Sequence, residues 1–137
     1  MLVVLDTSVV VAGTRSSSGA SHDLLRMVRR REISICLSTT LYYEWRDVLS
    51  RDEHRPAGAS AAAADRFVRS FASMASWQTI SFRLRDVLRD PDDAHVLELA
   101  FAAGVPVVTH NVRNFRESAS WGVEIYTPGQ ILRDLRR

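Results

Sequence analysis

The sequence has one cysteine, no lysine and no long hydrophobic run. A lone Cys36 cannot form an internal disulfide, which excludes the small secreted folds that depend on disulfides. No apolar stretch approaches the roughly 20 residues that a membrane span needs. Met1–Leu5 leads directly to Asp6, without the basic start and the apolar core of a signal peptide. We therefore expect a soluble protein of a reducing compartment, the cytoplasm, with no membrane partner.

The composition of the chain is that of an ordinary globular protein. Its 137 residues are 46% hydrophobic and 25% charged, which excludes disordered and low-complexity classes and predicts a single domain over residues 1–137. All 18 cationic side chains are arginine, and the formal net charge is +2. Arginine binds phosphate with two parallel hydrogen bonds, so this charge favours contact with a polyanion. A GC-rich genome explains the same arginine content equally well.

Apolar segments of strand length alternate with amphipathic segments of helix length. Strands are predicted at Leu2–Leu5, Ile33–Leu37, Thr79–Phe82, Pro106–Thr109 and Val123–Tyr126. Helices are predicted at His22–Arg31, Thr39–Arg51, Ala61–Ser76, Asp92–Gly104 and Pro128–Leu135, and Thr14–Ser21 is predicted to be a loop. Strands that alternate with helices are typical of an α/β fold, in which helices cover both faces of a parallel sheet.

Acidic residues from distant segments fall at one edge of this predicted sheet. Asp6 follows the first strand directly, and Glu44 lies in the first turns of the helix after the second strand. Asp90 and Asp93 precede a helix that leads to the strand ending at Thr109. Ligands of parallel sheets bind outside the carboxyl ends of the strands, so we expect these side chains to meet there.

A second argument supports Glu44 as a residue of the site. Glu44 shares one helix face with Leu41 and Val48, and a carboxylate among apolar neighbours is costly unless it is paired or bound to metal. Converging carboxylates also raise each other's pKa, and a divalent cation removes that penalty. Oxygen ligands suit Mg²⁺ or Mn²⁺. Taken one at a time, Asp6 could instead be a helix cap, and Glu44 could pair with an arginine.

Four segments of the chain resemble the PIN domain, most closely its VapC-like toxin branch. They are MLVVLDTS, LSTTLYYEWRDVL, RDPDDAHVLELAFAAGVPVVTHNVRNF and GVEIYTPGQIL. The resemblance covers nearly the whole chain in the right order. It implies a three-layer α/β/α sandwich with a central, mostly parallel sheet, and a ribonuclease site that depends on Mg²⁺ or Mn²⁺.

The resemblance also implies which acids carry the site. Asp6 matches the first acid of the family and Glu44 the second. Asp93 matches the acid that opens the helix DAHVLELA, and Asp90 matches an extra acid common in this branch. These four residues are the catalytic and metal-binding candidates.

Three further positions match supporting residues of the family. Ser8 matches a small polar residue that helps to hold the first acid, and Thr109 matches a hydroxyl that precedes the last acidic position. The chain departs from the pattern at that last position, because it has Asn111 where many relatives have Asp. One negative charge fewer weakens the binding of a second cation, which leaves the number of metal ions open.

The expected reaction is hydrolysis of RNA by a water that the metal activates. RNA needs cations around an acidic site, since phosphates and carboxylates repel. The candidates for these contacts are Arg15, Arg46, Arg113 and Arg116. His95 and His110 are expected to be structural or solvent-facing, and the three tryptophans are expected to pack in the core.

The toxin resemblance implies two protein partners, a cognate antitoxin and a second copy of the chain in a homodimer. Two other functions stay open. The first is a PIN-like module that binds RNA or protein without cutting, which the Asn111 departure favours. The second is a phosphoacceptor domain of the receiver type, which also clusters acids at strand ends. That design needs a lysine near the site, and the chain has none.

Overall fold

A computed structural model describes residues 1–51, 59–80 and 94–136, apart from the side chains of Arg116 and Glu117. The strands in this part of the chain are β1 Leu2–Leu5, β2 Ser34–Leu37, β3 Ser76–Trp77, β4 Val107–Val108 and β5 Ile125–Tyr126. The α-helices are α1 Thr7–Arg15, α2 Ala20–Arg29, α3 Thr39–Ser50, α4 Ala61–Met74, α5 Ala94–Ala103 and α6 Pro128–Leu135. A 3₁₀ segment over Val112–Trp121, kinked at Phe115, joins β4 to β5.

The five strands form one parallel sheet in the order β3-β2-β1-β4-β5. The strand β1 is therefore central, and its side chains from Val3 to Leu5 are fully buried. The residues that follow β1 and β4 are neighbours, since Leu5 pairs with Val108. This register brings Asp6 and Thr109 side by side at the carboxyl edge.

Helices cover the sheet and complete the core. On the helices, Trp45 of α3 and Phe71 of α4 are fully buried, and α5 buries five apolar side chains: Ala94, Val96, Leu97, Leu99 and Ala100. The helix α1 contacts both α2 and α3, while α5 packs on β1 and β2. The predicted α/β/α sandwich with its parallel sheet is confirmed.

Most bounds differ from the sequence prediction by one or two residues, and two segments differ in kind or place. The strand predicted at Thr79–Phe82 is wrong in its described part: Thr79 and Ile80 lie in no strand, and β3 lies at Ser76–Trp77, because these residues pair with Cys36 and Leu37 of β2. Ser81 and Phe82 lie outside the described residues, as do the predicted start of α5 at Asp92 and the acids Asp90 and Asp93.

The loop predicted at Thr14–Ser21 is shorter than expected. The helix α1 continues to Arg15 and α2 begins at Ala20, so only residues 16–19 connect them. Gly19 sits before α2 with a φ of 98°, a conformation that glycine adopts without steric cost. Ser21, predicted to end the loop, is therefore buried inside α2, and its hydroxyl lies 2.6 Å from Nε2 of His110.

Candidate active site

Asp6 lies at the carboxyl end of the central strand, as predicted, and is only 5% exposed. It is the N-cap of α1, and its Oδ1 accepts a hydrogen bond from the backbone N of Thr7 at 2.9 Å. Its Oδ2 accepts from the hydroxyls of Ser8, at 2.9 Å, and Thr109, at 2.7 Å. Three donors from two segments therefore fix the orientation of this carboxylate.

Glu44 projects from α3 toward the same place. Ser38 begins this helix by accepting a hydrogen bond from the backbone N of Leu41 at 3.1 Å, so Glu44 lies in the second turn. Its Oε2 accepts from the hydroxyl of Thr7, and its Oε1 lies 3.1 Å from Nε2 of His95. The side chain is 34% exposed, so Glu44 borders an open site and does not point into the core.

Thr7 links the two carboxylates, because its backbone N binds Asp6 and its hydroxyl binds Glu44. The sequence analysis did not single out Thr7. The sequence nevertheless marks Thr7 as a candidate, because it lies inside the polar DTS cluster between a buried strand and a helix. A single residue that binds both acids sets their relative position.

The two acids differ in proton affinity. Burial raises the pKa of Asp6, the hydroxyls of Thr109 and Ser8 partly offset this, and the nearby charge of Glu44 raises it further. Burial also acts to raise the pKa of Glu44, but the hydrogen bonds from His95 and Thr7 outweigh it and the pKa is lowered. Glu44 is thus held ionised, while Asp6 carries a charge that burial disfavours.

The segment after β4 supports the site from the other side. Thr109 is fully buried, and its hydroxyl also accepts a hydrogen bond from the backbone N of Asn111 at 2.9 Å. The hydroxyl of Ser8 likewise accepts from the backbone N of His110 at 3.2 Å. Asn111 itself is exposed at the start of the 3₁₀ segment. The hydroxyls that hold Asp6 are therefore held in turn by backbone N–H groups.

His95 corrects the sequence analysis, which expected a structural or solvent-facing side chain. Only 12% of its side chain is exposed, and it contacts Glu44. The physical reason is that α5 is buried nearly all round and packs against α3, so His95 faces the neighbouring helix. The apolar run on both sides of His95 was the signal that this helix has little solvent-facing surface.

The arginine candidates lie in different surroundings. Arg15, at the end of α1, lines a groove that also contains Thr7 and Ser8. Arg113 is exposed in the 3₁₀ segment near Asn111. Arg46 instead forms an ion pair with Asp65 of α4, at 3.4 Å from Nε to Oδ1. The Arg116 side chain lies outside the described residues.

The tryptophan prediction is confirmed for one side chain and wrong for another. Trp45 is fully buried and Trp121 packs partly against the core. Trp77 is 50% exposed. It lies on the edge strand β3, where its ring contacts the ring of Tyr42 at 5.7 Å between centroids. A two-residue edge strand leaves one face of such a ring open to solvent.

The donor set brought together here suits a hard divalent cation. Asp6 and Glu44 present carboxylate oxygens, the ligand type that Mg²⁺ and Mn²⁺ prefer, and their mutual repulsion is the penalty that a cation removes. Within the described ranges, no cluster of three or more His, Cys, Asp or Glu side chains has the arrangement of a metal site. The further acids predicted for the site, Asp90 and Asp93, lie outside those ranges.

Known proteins resemble this chain in family and in fold. A family model described as PIN domain matches residues 2–113. No curated protein matches the chain at a significant level. No helix in the described part of the chain is long and apolar enough to cross a membrane.

Solved structures share the fold at low sequence identity. VapBC2 from Rickettsia felis, bound to a DNA fragment from its promoter, superposes with a TM-score of 0.64 at 13% identity, over 93% of this chain and 98% of the other. VapBC-1 from nontypeable Haemophilus influenzae gives 0.60 at 11% identity, over 94% and 99%. A domain of a functionally unknown protein from Methanocaldococcus jannaschii gives 0.54 at 13% identity, over 92% and 89%.

Proposed function

Because the chain belongs to the PIN domain family, we propose that it is a divalent-metal-dependent endoribonuclease. The observation that supports this most directly is the pair of carboxylates joined by Thr7 at the carboxyl edge of the sheet. Asp6 and Glu44 lie on different elements, and both are acids for which the family resemblance implies a metal-binding role. A buried acid with a raised pKa is also typical of functional sites.

Asp6 and Glu44 would hold Mg²⁺ or Mn²⁺ together with Asp93 and Asp90, the two further acids that the family resemblance implies. When bound, the cation lowers the pKa of a coordinated water and offsets the charge that develops on the phosphoryl oxygens. Ser8 and Thr109 orient the carboxylate of Asp6 through their hydroxyls. His95 and Thr7 keep Glu44 ionised and aimed at the site.

The proposed reaction is hydrolysis of an RNA phosphodiester. Water attacks phosphorus in line with the leaving 3′ oxygen and gives its proton to a carboxylate of the site. The P–O3′ bond breaks, and O3′ takes up a proton from a solvent water. The products carry a 5′-phosphate and a 3′-hydroxyl. Arg15 and Arg113 are exposed, and neither has an acidic partner within ion-pair distance among the described residues. These two arginines would position the RNA by its phosphates.

The wider proposal is that the chain, as one cytoplasmic domain over residues 1–137, is the toxin of a type II toxin–antitoxin pair. The fold shared with two VapBC structures supports this role. It implies a cognate antitoxin encoded beside the toxin, and a homodimer. Co-expression with the product of an adjacent small open reading frame, followed by gel filtration, tests both partners.

The test of the nuclease is cleavage of a 5′-labelled RNA by the purified chain in Mg²⁺, in Mn²⁺ and in EDTA. We expect cleavage only with metal, and a loss of at least about 100-fold in Asp6→Asn. Asp134→Asn, a change to an exposed acid near the end of α6, is the matched control and keeps wild-type activity. Equal cleavage by Asp6→Asn, or cleavage in EDTA, would contradict the proposal.

Asn111 favours a second candidate, a module that binds RNA without cutting it. An amide in place of the family's last acid brings no negative charge, which weakens the hold on a second cation. RNA binding without cleavage in either metal would identify this function. In that case Asn111→Asp, which restores the charge, should increase the stabilisation of the protein by Mn²⁺.

A further inference from the structure

A cavity of about 310 Å³ lies between the first four helices, and its wall includes residues of α1, α2, α3 and α4. None of the residues that form the acid site lines this α1–α4 cavity. Its volume lies at the lower end of the range of sites that take small organic molecules. We propose that the cavity binds a small amphiphilic anion, an apolar chain or ring that fills the cavity and carries one carboxylate at its mouth.

The wall of the cavity is mostly apolar. Leu25 of α2 and Leu49 of α3 line it and are only 5% and 3% exposed, while Ala63 and Phe67 of α4 line it and are partly exposed. The hydroxyl of Thr14 offers little to a ligand, because it donates to carbonyl oxygens of its own helix. An apolar occupant is therefore favoured, and each methylene that it buries strengthens binding about fourfold.

One face of α2 brings positive charge to the cavity. His22, Arg26 and Arg29 follow each other at intervals of four and three residues, so they share one face of the helix, and all three line the cavity. Arg26 and Arg29 are exposed, which places them where the cavity opens to solvent. No acidic residue of the described part of the chain lines this cavity. The charge at its mouth therefore complements an anion.

Both arginines are available to a carboxylate. Within residues 1–51, 59–80 and 94–136, no acidic side chain lies within ion-pair distance of Arg26 or Arg29. Cζ of Arg29 lies instead over two aromatic rings, 5.7 Å from the ring centroid of Phe67 and 5.4 Å from that of Phe71. A cation–π contact uses the face of a ring and no hydrogen-bond acceptor. The N–H groups of both arginines can therefore donate to a carboxylate.

The test is binding of decanoate to the full chain in EDTA, measured by isothermal titration calorimetry. We expect saturable binding to one site. Hexanoate has four methylenes fewer and should bind about 100-fold more weakly. Decyltrimethylammonium has the same chain with the opposite charge, and it should bind at least about tenfold more weakly than decanoate, because the arginines repel it.

Variants of α2 and α4 locate the binding site. Arg26→Gln and Arg29→Gln should each weaken decanoate binding about tenfold, the size of one charge-assisted hydrogen bond. Arg30→Gln, at the next position of the chain and outside the wall of the cavity, is their matched control. Ala63→Leu places a larger side chain in the cavity and should also weaken binding at least about tenfold. Its control is Ala62→Leu, at an exposed position of the same helix outside the cavity.

Three results would overturn the proposal. The first is no binding of decanoate at about 1 mM, and the second is equal binding of decyltrimethylammonium. The third is competition with decanoate by an acidic amphipathic peptide that binds more tightly, which would assign the cavity to a segment of another protein. Unchanged affinity in Ala63→Leu and in both arginine variants would place decanoate elsewhere and would also overturn it. None of these results bears on the proposed nuclease, because binding is measured without metal or RNA.

Discussion

The pair of Asp6 and Glu44 illustrates how neighbours, more than residue type, set the chemistry of a carboxylate. Both are acids at one sheet edge, yet burial raises the pKa of Asp6 while His95 and Thr7 lower that of Glu44. Glu44 is held by donors from both α1 and α5: Thr7 lies 37 residues away from it in the sequence and His95 lies 51 residues away. His95 is therefore a positioning residue for Glu44.

Replacing His95 should change the proton affinity of Glu44. In His95→Ala the hydrogen bond and the nearby ring that lower the pKa of Glu44 are lost, while burial, which raises it, remains. We expect the pKa to rise from its present lowered value, as measured by titration of the ¹³C carboxyl resonances in metal-free protein. The variant His95→Gln keeps an N–H donor, so the pKa of Glu44 should stay lower in this variant than in His95→Ala. An unchanged Glu44 pKa in His95→Ala would contradict the positioning role.

At the scale of elements, α1 and α2 approach so closely that one position must be glycine. A Cβ built on Gly13 would lie 2.4 Å from Cδ1 of Leu25 and 2.9 Å from the backbone O of Ser21. Gly13 is buried in the last turn of α1, and glycine inside a helix is about 1 kcal/mol less favourable than alanine. The close packing of α2 on α1 therefore outweighs helix propensity at this site.

Gly13→Ala should destabilise the protein despite the better propensity of alanine. We expect a loss of about 1–3 kcal/mol in the free energy of unfolding by urea, the usual cost of overpacking. The matched control is Gly129→Ala in α6, where the nearest atom to a new Cβ is Nη1 of Arg133 at 3.8 Å. That variant should be neutral or slightly more stable. Equal stability of both variants would mean that α2 moves away without cost.

The sequence predicted which helices and strands are present better than it predicted the residues at which they begin and end. Residues 128–135 form a helix with the predicted bounds, because Thr127 caps it with Gln130 and Pro128 occupies its first turn. These signals are local. The edge strand β3 was misplaced because Thr79–Phe82 has the stronger β-propensity, while pairing with Cys36 and Leu37 selects Ser76–Trp77. Pairing partners are distant in sequence, so the pattern of one segment cannot reveal them.

At the scale of the whole molecule, the site and the stability of the fold are linked through Asp6. The pKa of Asp6 in the folded state is raised above its ordinary value of 3.8. Its contribution to stability is therefore complete below pH 3.8 and is lost as the pH rises through the folded pKa. At neutral pH the ionised Asp6 destabilises the metal-free protein, as expected of a site built for function.

Asp6→Asn should thus stabilise the metal-free protein at neutral pH. We expect its melting temperature in EDTA to rise by roughly 3 °C, the shift for about 1 kcal/mol in a domain of this size. The difference should narrow as the pH falls toward 3.8. Mn²⁺ should raise the melting temperature of the wild type, because a cation that binds the folded state stabilises that state. It should not raise the melting temperature of the variant, which lacks the Asp6 carboxylate. A variant less stable than the wild type in EDTA at pH 7 would contradict this account.

The family resemblance identified Ser8 as a residue that helps to hold Asp6, whereas the hydrogen bond from Thr109 to Asp6 came from the tertiary structure. The sequence by itself determined the layers of the fold and the place of Asp6 and Glu44 at the sheet edge. These follow from periodicity, capping and strand ends, which depend on near neighbours along the chain. Only the tertiary structure decided that His95 binds Glu44, that Arg46 pairs with Asp65, and that Arg15 and Arg51 share a groove. The physical reason is that the orientation of a side chain on a helix depends on which element packs against it, and that packing joins residues far apart in the sequence.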